Sequence, residues 1–227
     1  MYRILFINII FTIVTSFFSC ALFNTGAREI NPAYLKELKP DEEQKLSSIR
    51  GRAVITKNGQ KDAEKNLEII LQKIRVCEKM IIRLASDIEL LKENEKLAVL
   101  SGHGNENSSG QKIPEVSKQK EQEVVRLEYL RAKKVAQENF VILKKAELAK
   151  ELAEIKLIES GIAERNQKQL GISPDSNEFI KVEKYKINLK RRTEDYSRKE
   201  TEYKTVSNNL KPLIEKMKAA GVEEDLK

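Results

Sequence analysis

Apolar residues recur along most of this chain in alternating steps of three and four, which is the spacing of a helix with one buried face. The clearest run lies between Lys61 and Leu100. Leu67, Ile70, Ile74, Cys77, Ile81, Leu84, Ile88 and Leu91 fill the a and d positions of four consecutive heptads. Leu71, Met80, Leu90 and Leu97 widen that stripe beyond a two-stranded zipper, which suits a bundle. A second seam runs through 115–170 on Leu127, Leu130, Val141, Leu148, Leu152, Ile155, Ile158 and Ile162, interrupted by Lys134, Gln137 and Lys144. A polar layer, a splayed region and a different register all fit those interruptions. A third seam runs through 174–220 on Tyr185, Leu189, Tyr196, Tyr203, Val206, Leu210, Leu213 and Met217.

Punctuation residues set the boundaries. Asp41-Glu42-Glu43 after Pro40 predict a helix start, because acids favour the positive end of the helix dipole. Asn58-Gly59 predicts a break, dividing a helix at 41–56 from one at 61–100. Residues 101–113, rich in Gly, Ser and Asn, read as a polar loop closed by Pro114. Gly171-Ile172-Ser173-Pro174 reads as a helix stop followed at once by a new start. Pro212 should kink the last helix, and 221–227 is a polar tail. No single-faced helix is stable alone in water, so three of them should close on one another. The pattern predicts an all-α chain, an elongated antiparallel three-helix, coiled-coil-like bundle over 41–220.

The first twenty residues have a different character. Arg3 precedes an apolar run from Ile4 to Phe18, which ends in Ser19-Cys20. A cation, a short apolar core and a small residue make an export signal over 1–19. The run is shorter than the roughly 20 residues a membrane span requires, and Asn8, Thr12, Thr15 and Ser16 interrupt it. A signal anchor that is never cleaved is the competing reading. Residues 20–40, punctuated by Asn24, Gly26, Asn31, Pro32 and Pro40, read as a flexible tether. A short turn at Tyr34, Leu35 and Leu38, packed on the body, is the alternative.

Charge and chemistry narrow the function. The chain carries 42 Lys and Arg against 35 Asp and Glu. Cleavage before Cys20 would remove only Arg3 and leave a net charge of +6. The segment 174–220 is the most basic, with 12 cations against 8 anions. Within it Lys184, Lys190, Arg191 and Arg198 form a candidate binding patch for a protein or a sulfated glycan. Nucleic acid is not expected for an exported chain. Cys77 falls on the seam and reads as a small core residue. His103, the one histidine, has no ligand partner at metal spacing, so no metal site is expected. No nucleophile–base pair or phosphate loop is visible, so no catalytic residue, small-molecule substrate or cofactor is expected.

A small residue and then cysteine at the end of an apolar core resembles the lipobox of bacterial lipoproteins. Phe17 and Phe18 depart from the usual Leu and small residue, as in the relaxed boxes of spirochaetal surface lipoproteins. The long helical remainder is similar to their helical outer-surface members, in general character rather than by a motif. The resemblance implies removal of 1–19, a covalent lipid on Cys20 and anchoring at the outer membrane. It also implies a non-enzymatic ectodomain that binds a host macromolecule. A periplasmic scaffold lipoprotein is the alternative.

Overall fold

The computed structural model describes residues 29–101 and 109–222. The signal segment, Cys20, His103 and the tail beyond 222 lie outside the described residues. A short 3-10 turn at Pro32–Leu35 comes first. Four α-helices follow: α1 (Pro40–Leu100), α2 (Ser109–Gln169), α3 (Val182–Asn208) and α4 (Leu210–Ala219). No strand forms among the described residues, and the chain is all-α.

Contacts divide the chain into two units, Met1–Val54 with Leu148–Asp195, and Ile55–Glu147 with Tyr196–Lys227. In the first unit, Leu46 and Ala53 of α1 pack on Ile155 and Ile162 of α2. Arg165 pairs with Glu42, Glu159 with Arg50 and Glu154 with Arg52. Partner numbers fall on α2 as they rise on α1, so the two helices run antiparallel. A second core joins Ala163 of α2 to Tyr185 of α3, with Ile30 and Ile180 from the flanking segments.

The second unit repeats the scheme. Ile70, Ile74 and Cys77 of α1, Tyr129 and Leu130 of α2, and Met217 of α4 form its core. Phe140 meets the Tyr203 ring at a centroid distance of 5.2 Å, and Gln122 donates to the Ala220 carbonyl at 2.8 Å. The last helices therefore also run antiparallel to α2. Cys77 is fully buried, and its thiol lies 3.1 Å from the Glu123 carbonyl, an apolar-core role.

Several boundaries differ from the sequence pattern. No break occurs at Asn58-Gly59, where α1 runs through. Gly59 sits where the Lys144 stem passes, and an added Cβ would stand 3.9 Å from the Lys144 Cε. At that ordinary contact distance a side chain would fit, and α1 carries the cost of a mid-helix glycine, about 1 kcal/mol. The loop predicted to end at Pro114 is shorter, because α2 already starts at Ser109 and takes Pro114 into its early turns. Of the three interruptions in the α2 seam, Gln137 makes a polar contact to α1, while Lys134 and Lys144 pair within α2. Gln137 donates to the Ala63 carbonyl at 2.8 Å, and Lys144 pairs with Glu147 at 2.8 Å. Pro212 acts earlier than its own position. It supplies no N–H to the carbonyl four residues back, and the helix parts at Asn209.

Gly171 is the left-handed stop that the sequence implies, with φ +71. The Ile172 N–H reaches the Gln167 carbonyl and the Gly171 N–H reaches that of Lys168, so α2 ends in a Schellman motif. Ser173-Pro174 does not start a helix. The Ser173 carbonyl and hydroxyl accept from Ser176 and Asp175, and the chain stays irregular until Val182.

The tether also needs correction. From Glu29 the chain lies on the first unit: Ile30 is buried, and the 3-10 turn is capped by Asn31 and packs through Tyr34 and Leu35. Apolar side chains alternating with Pro32 and Asn31 give this segment something to bury. A spacer drawn from residues 20–40 can therefore include only those before Glu29.

Candidate functional site

Three consecutive side chains at the end of α2 hold the first unit's irregular segments in place. Arg165 pairs with the Glu42 carboxylate and donates to the Glu37 carbonyl at 2.7 Å. Asn166 donates to the Tyr34 carbonyl at 2.8 Å. Gln167, fully buried, accepts from the Ile180 N–H at 2.7 Å and donates to the Glu178 carbonyl at 2.9 Å. Arg165 and Asn166 fasten the segment before α1, and Gln167 fastens the one before α3. Irregular backbone has no ladder to satisfy its polar groups, so side chains must do it. The signal for this latch was present in the sequence: beyond Ile162 the seam passes into Asn166, a polar residue at an apolar slot.

Glu42 has a second duty. Its Oε2 accepts from the Lys39 N–H at 2.9 Å and so caps the start of α1. Burial pushes its carboxyl upward. The Arg165 hydrogen bond and charge, together with the Lys39 N–H, outweigh that and hold it below the usual 4.5. In the second unit, Glu64 is also lowered, first by the Gln60 amide against opposing burial, then by Lys145. Tyr196 is raised by burial and by the Glu147 and Glu200 carboxylates.

The four cations read as a binding patch all lie on α3, and all are exposed. Lys184 and Arg191 are spaced by seven, which keeps them near one face of α3 within the first unit, whereas Arg198 belongs to the second. Lys190 adjoins Arg191, whose guanidinium donates to Asn188 at 3.3 Å. Lys184 and Lys190 form no ion pair among the described residues, whereas their neighbour Lys186 pairs with Glu183 at 2.7 Å. Glu183 accounts for the upward shift of the Lys186 ammonium. Ile187 stands between these cations at 69% exposure. Two of the α3 tyrosines belong elsewhere: Tyr185 is core, and Tyr203 makes a tilted ring contact with Phe140.

A cavity of about 360 Å³ opens in the first unit between Ile30, Pro32, Tyr34 and Ile180, with Glu29 and Glu178 in its wall. Among the described residues, no three His, Cys, Asp or Glu side chains gather in a way that could hold a metal ion. None of the described helices is long and apolar enough to cross a membrane. No protein-family model, curated protein or solved structure matches this chain.

Proposed function

We propose that this chain is a lipid-anchored bacterial lipoprotein of the outer membrane surface, and that its helical body is a non-enzymatic binding module. The observation that carries the reading is Ser19-Cys20 at the end of the apolar run Ile4–Phe18 behind Arg3. An acylated Cys20 would hold the body at a bilayer. Each buried acyl CH₂ contributes about 0.8 kcal/mol, so two or three chains anchor stably. The body itself has no need to span lipid.

The binding face is the exposed strip of α3. In the first unit, Lys184, Lys190 and Arg191 offer cations to an acidic protein surface or a sulfated glycan of the host. Cations without carboxylate partners, such as Lys184 and Lys190, can meet an incoming anion without first giving up an ion pair. No catalytic group and no cofactor beyond the lipid on Cys20 is invoked.

Two measurements on cells making the full chain test this. The protein should enter the detergent phase of a cloud-point separation, and a Cys20→Ser chain should not. Protease added to intact cells should remove the body. Protection from protease would move the protein to the periplasmic face and favour a scaffold role. Retention on a heparin column should fall when Lys184, Lys190 and Arg191 are changed together to Glu. Unchanged retention would remove α3 as the binding face.

A further inference from the structure

Beside the face that packs inward, α1 carries a second apolar register. Ile70, Ile74, Cys77 and Leu84 are buried at heptad spacing, so every seventh residue keeps a nearly constant angle to the packed side. One such set is Ile55, Asp62, Ile69, Val76, Arg83 and Leu90, all within the second unit. Its four apolar members are 72%, 50%, 60% and 58% exposed in chain order. Asp62 and Arg83 are exposed as well. Large apolar side chains in four of six outward slots of a charged helix mark a helix-pairing face.

The order of the charges identifies the partner. Read forward, the register is apolar, acid, apolar, apolar, base, apolar. Read backward it is the same with the charges exchanged, so the register is complementary to itself when reversed. We infer that α1 pairs antiparallel with α1 of a second copy of this chain, Ile55 against Leu90, Asp62 against Arg83 and Ile69 against Val76. A two-fold axis between residues 72 and 73 makes each contact twice. Parallel pairing in register would set Asp62 on Asp62 and Arg83 on Arg83, and like charges facing one another are repelled.

Little in the single chain competes with this arrangement. Asp62 makes no ion pair among the described residues. Arg83 is 3.9 Å from the exposed Asp87, a contact of little worth. Lys65 and Lys79 flank the register, and their long stems let the ammonium groups swing into water. One apolar residue per heptad is a narrow seam, so the dimer exchanges with monomer.

The test is sedimentation equilibrium of the full chain in density-matched neutral detergent at about 50 µM, a range suited to a small, exchanging interface. The wild-type chain should sediment as a dimer. D62R or R83D alone sets two pairs of like charges face to face and should raise the dissociation constant at least about tenfold. D62R/R83D together restores the complement and should return it to within about threefold of wild type. All three variants change exposed positions, and unchanged helicity by circular dichroism confirms folding. As an independent readout in a Cys20→Ser background, I69C/V76C should form a disulfide-linked dimer with copper-phenanthroline as oxidant, and I69C alone should not. A monomer at that concentration overturns the inference. So does a single reversal without effect, a double reversal that does not restore pairing, or a crosslink equally strong in I69C alone. The outcome does not depend on the lipid, which the detergent-phase separation reads on its own.

Discussion

The backbone N–H of Ile180 donates to the Oε1 of Gln167 at 2.7 Å, inside the first unit and thirteen residues along the chain. The Nε2 of the same Gln167 side chain donates to the Glu178 carbonyl at 2.9 Å. One side chain therefore pays the hydrogen-bonding needs of a strand-free segment that must stay open to bury Ile180. Gln167→Leu would leave the Ile180 N–H and the Glu178 carbonyl without these partners, at about 1–3 kcal/mol for the buried Ile180 N–H. Hydrogen exchange at Ile180 should accelerate together with the fall in melting temperature, and should be unchanged in Lys190→Ala.

The Glu42–Arg165 contact makes the first unit acid-sensitive. Glu42 titrates below 4.5 when folded, so its contribution is fully present above that value and is lost as pH falls through the lowered one. Melting curves of the wild-type chain and Glu42→Gln should differ at neutral pH and converge as the pH falls below 4.5 and through the lowered value. A constant gap across that range would show that the carboxylate charge is not what stabilises the contact.

Glycines in this chain divide by backbone conformation. Gly51 and Gly161 lie inside helices, and an added Cβ would meet nothing within 4 Å at either. Gly51→Ala and Gly161→Ala should each stabilise by about 0.5–1 kcal/mol, raising the melting temperature by roughly 1–4 °C. Gly171 holds φ +71 in the Schellman stop, and Gly171→Ala should cost about 1–2 kcal/mol. Thermal melts of the three variants should therefore move in opposite directions.

Core and surface should separate as sharply. Leu130 is 1% exposed between α1 and α4 in the second unit, and Leu130→Ala should cost about 2–5 kcal/mol. Lys190→Ala should change stability by less than about 0.5 kcal/mol. Comparable shifts in urea midpoint for the two would refute the proposed seam.

The all-α class was legible in the sequence because heptad spacing on Leu67–Leu91 leaves few other ways to bury those residues. Gly171 was legible for a similar reason, since a left-handed stop favours glycine. Asn58-Gly59 misled because a local propensity of about 1 kcal/mol is small beside the burial of Thr56 and Ala63 on either side of it. Ser173-Pro174 misled because the helix start depends on a distant partner: Gln167 and the burial of Ile180 hold that stretch open. Arg165 and Asn166 of the latch reach residues more than 120 positions away; Asn166 at an apolar slot marks a polar contact in the sequence, but no local pattern encodes its partner. The basic strip of α3 was readable as charge, and the structure adds which of its cations lack acid partners.

Display of the helical body at a bilayer depends on a lipid at Cys20, and the mass of the mature amino terminus tests it most directly. Intact and peptide mass spectrometry of protein isolated from bacterial membranes should find a chain beginning at Cys20 and carrying diacylglycerol and acyl mass. A chain that retains Met1, or that begins at an unmodified Cys20, would contradict the account.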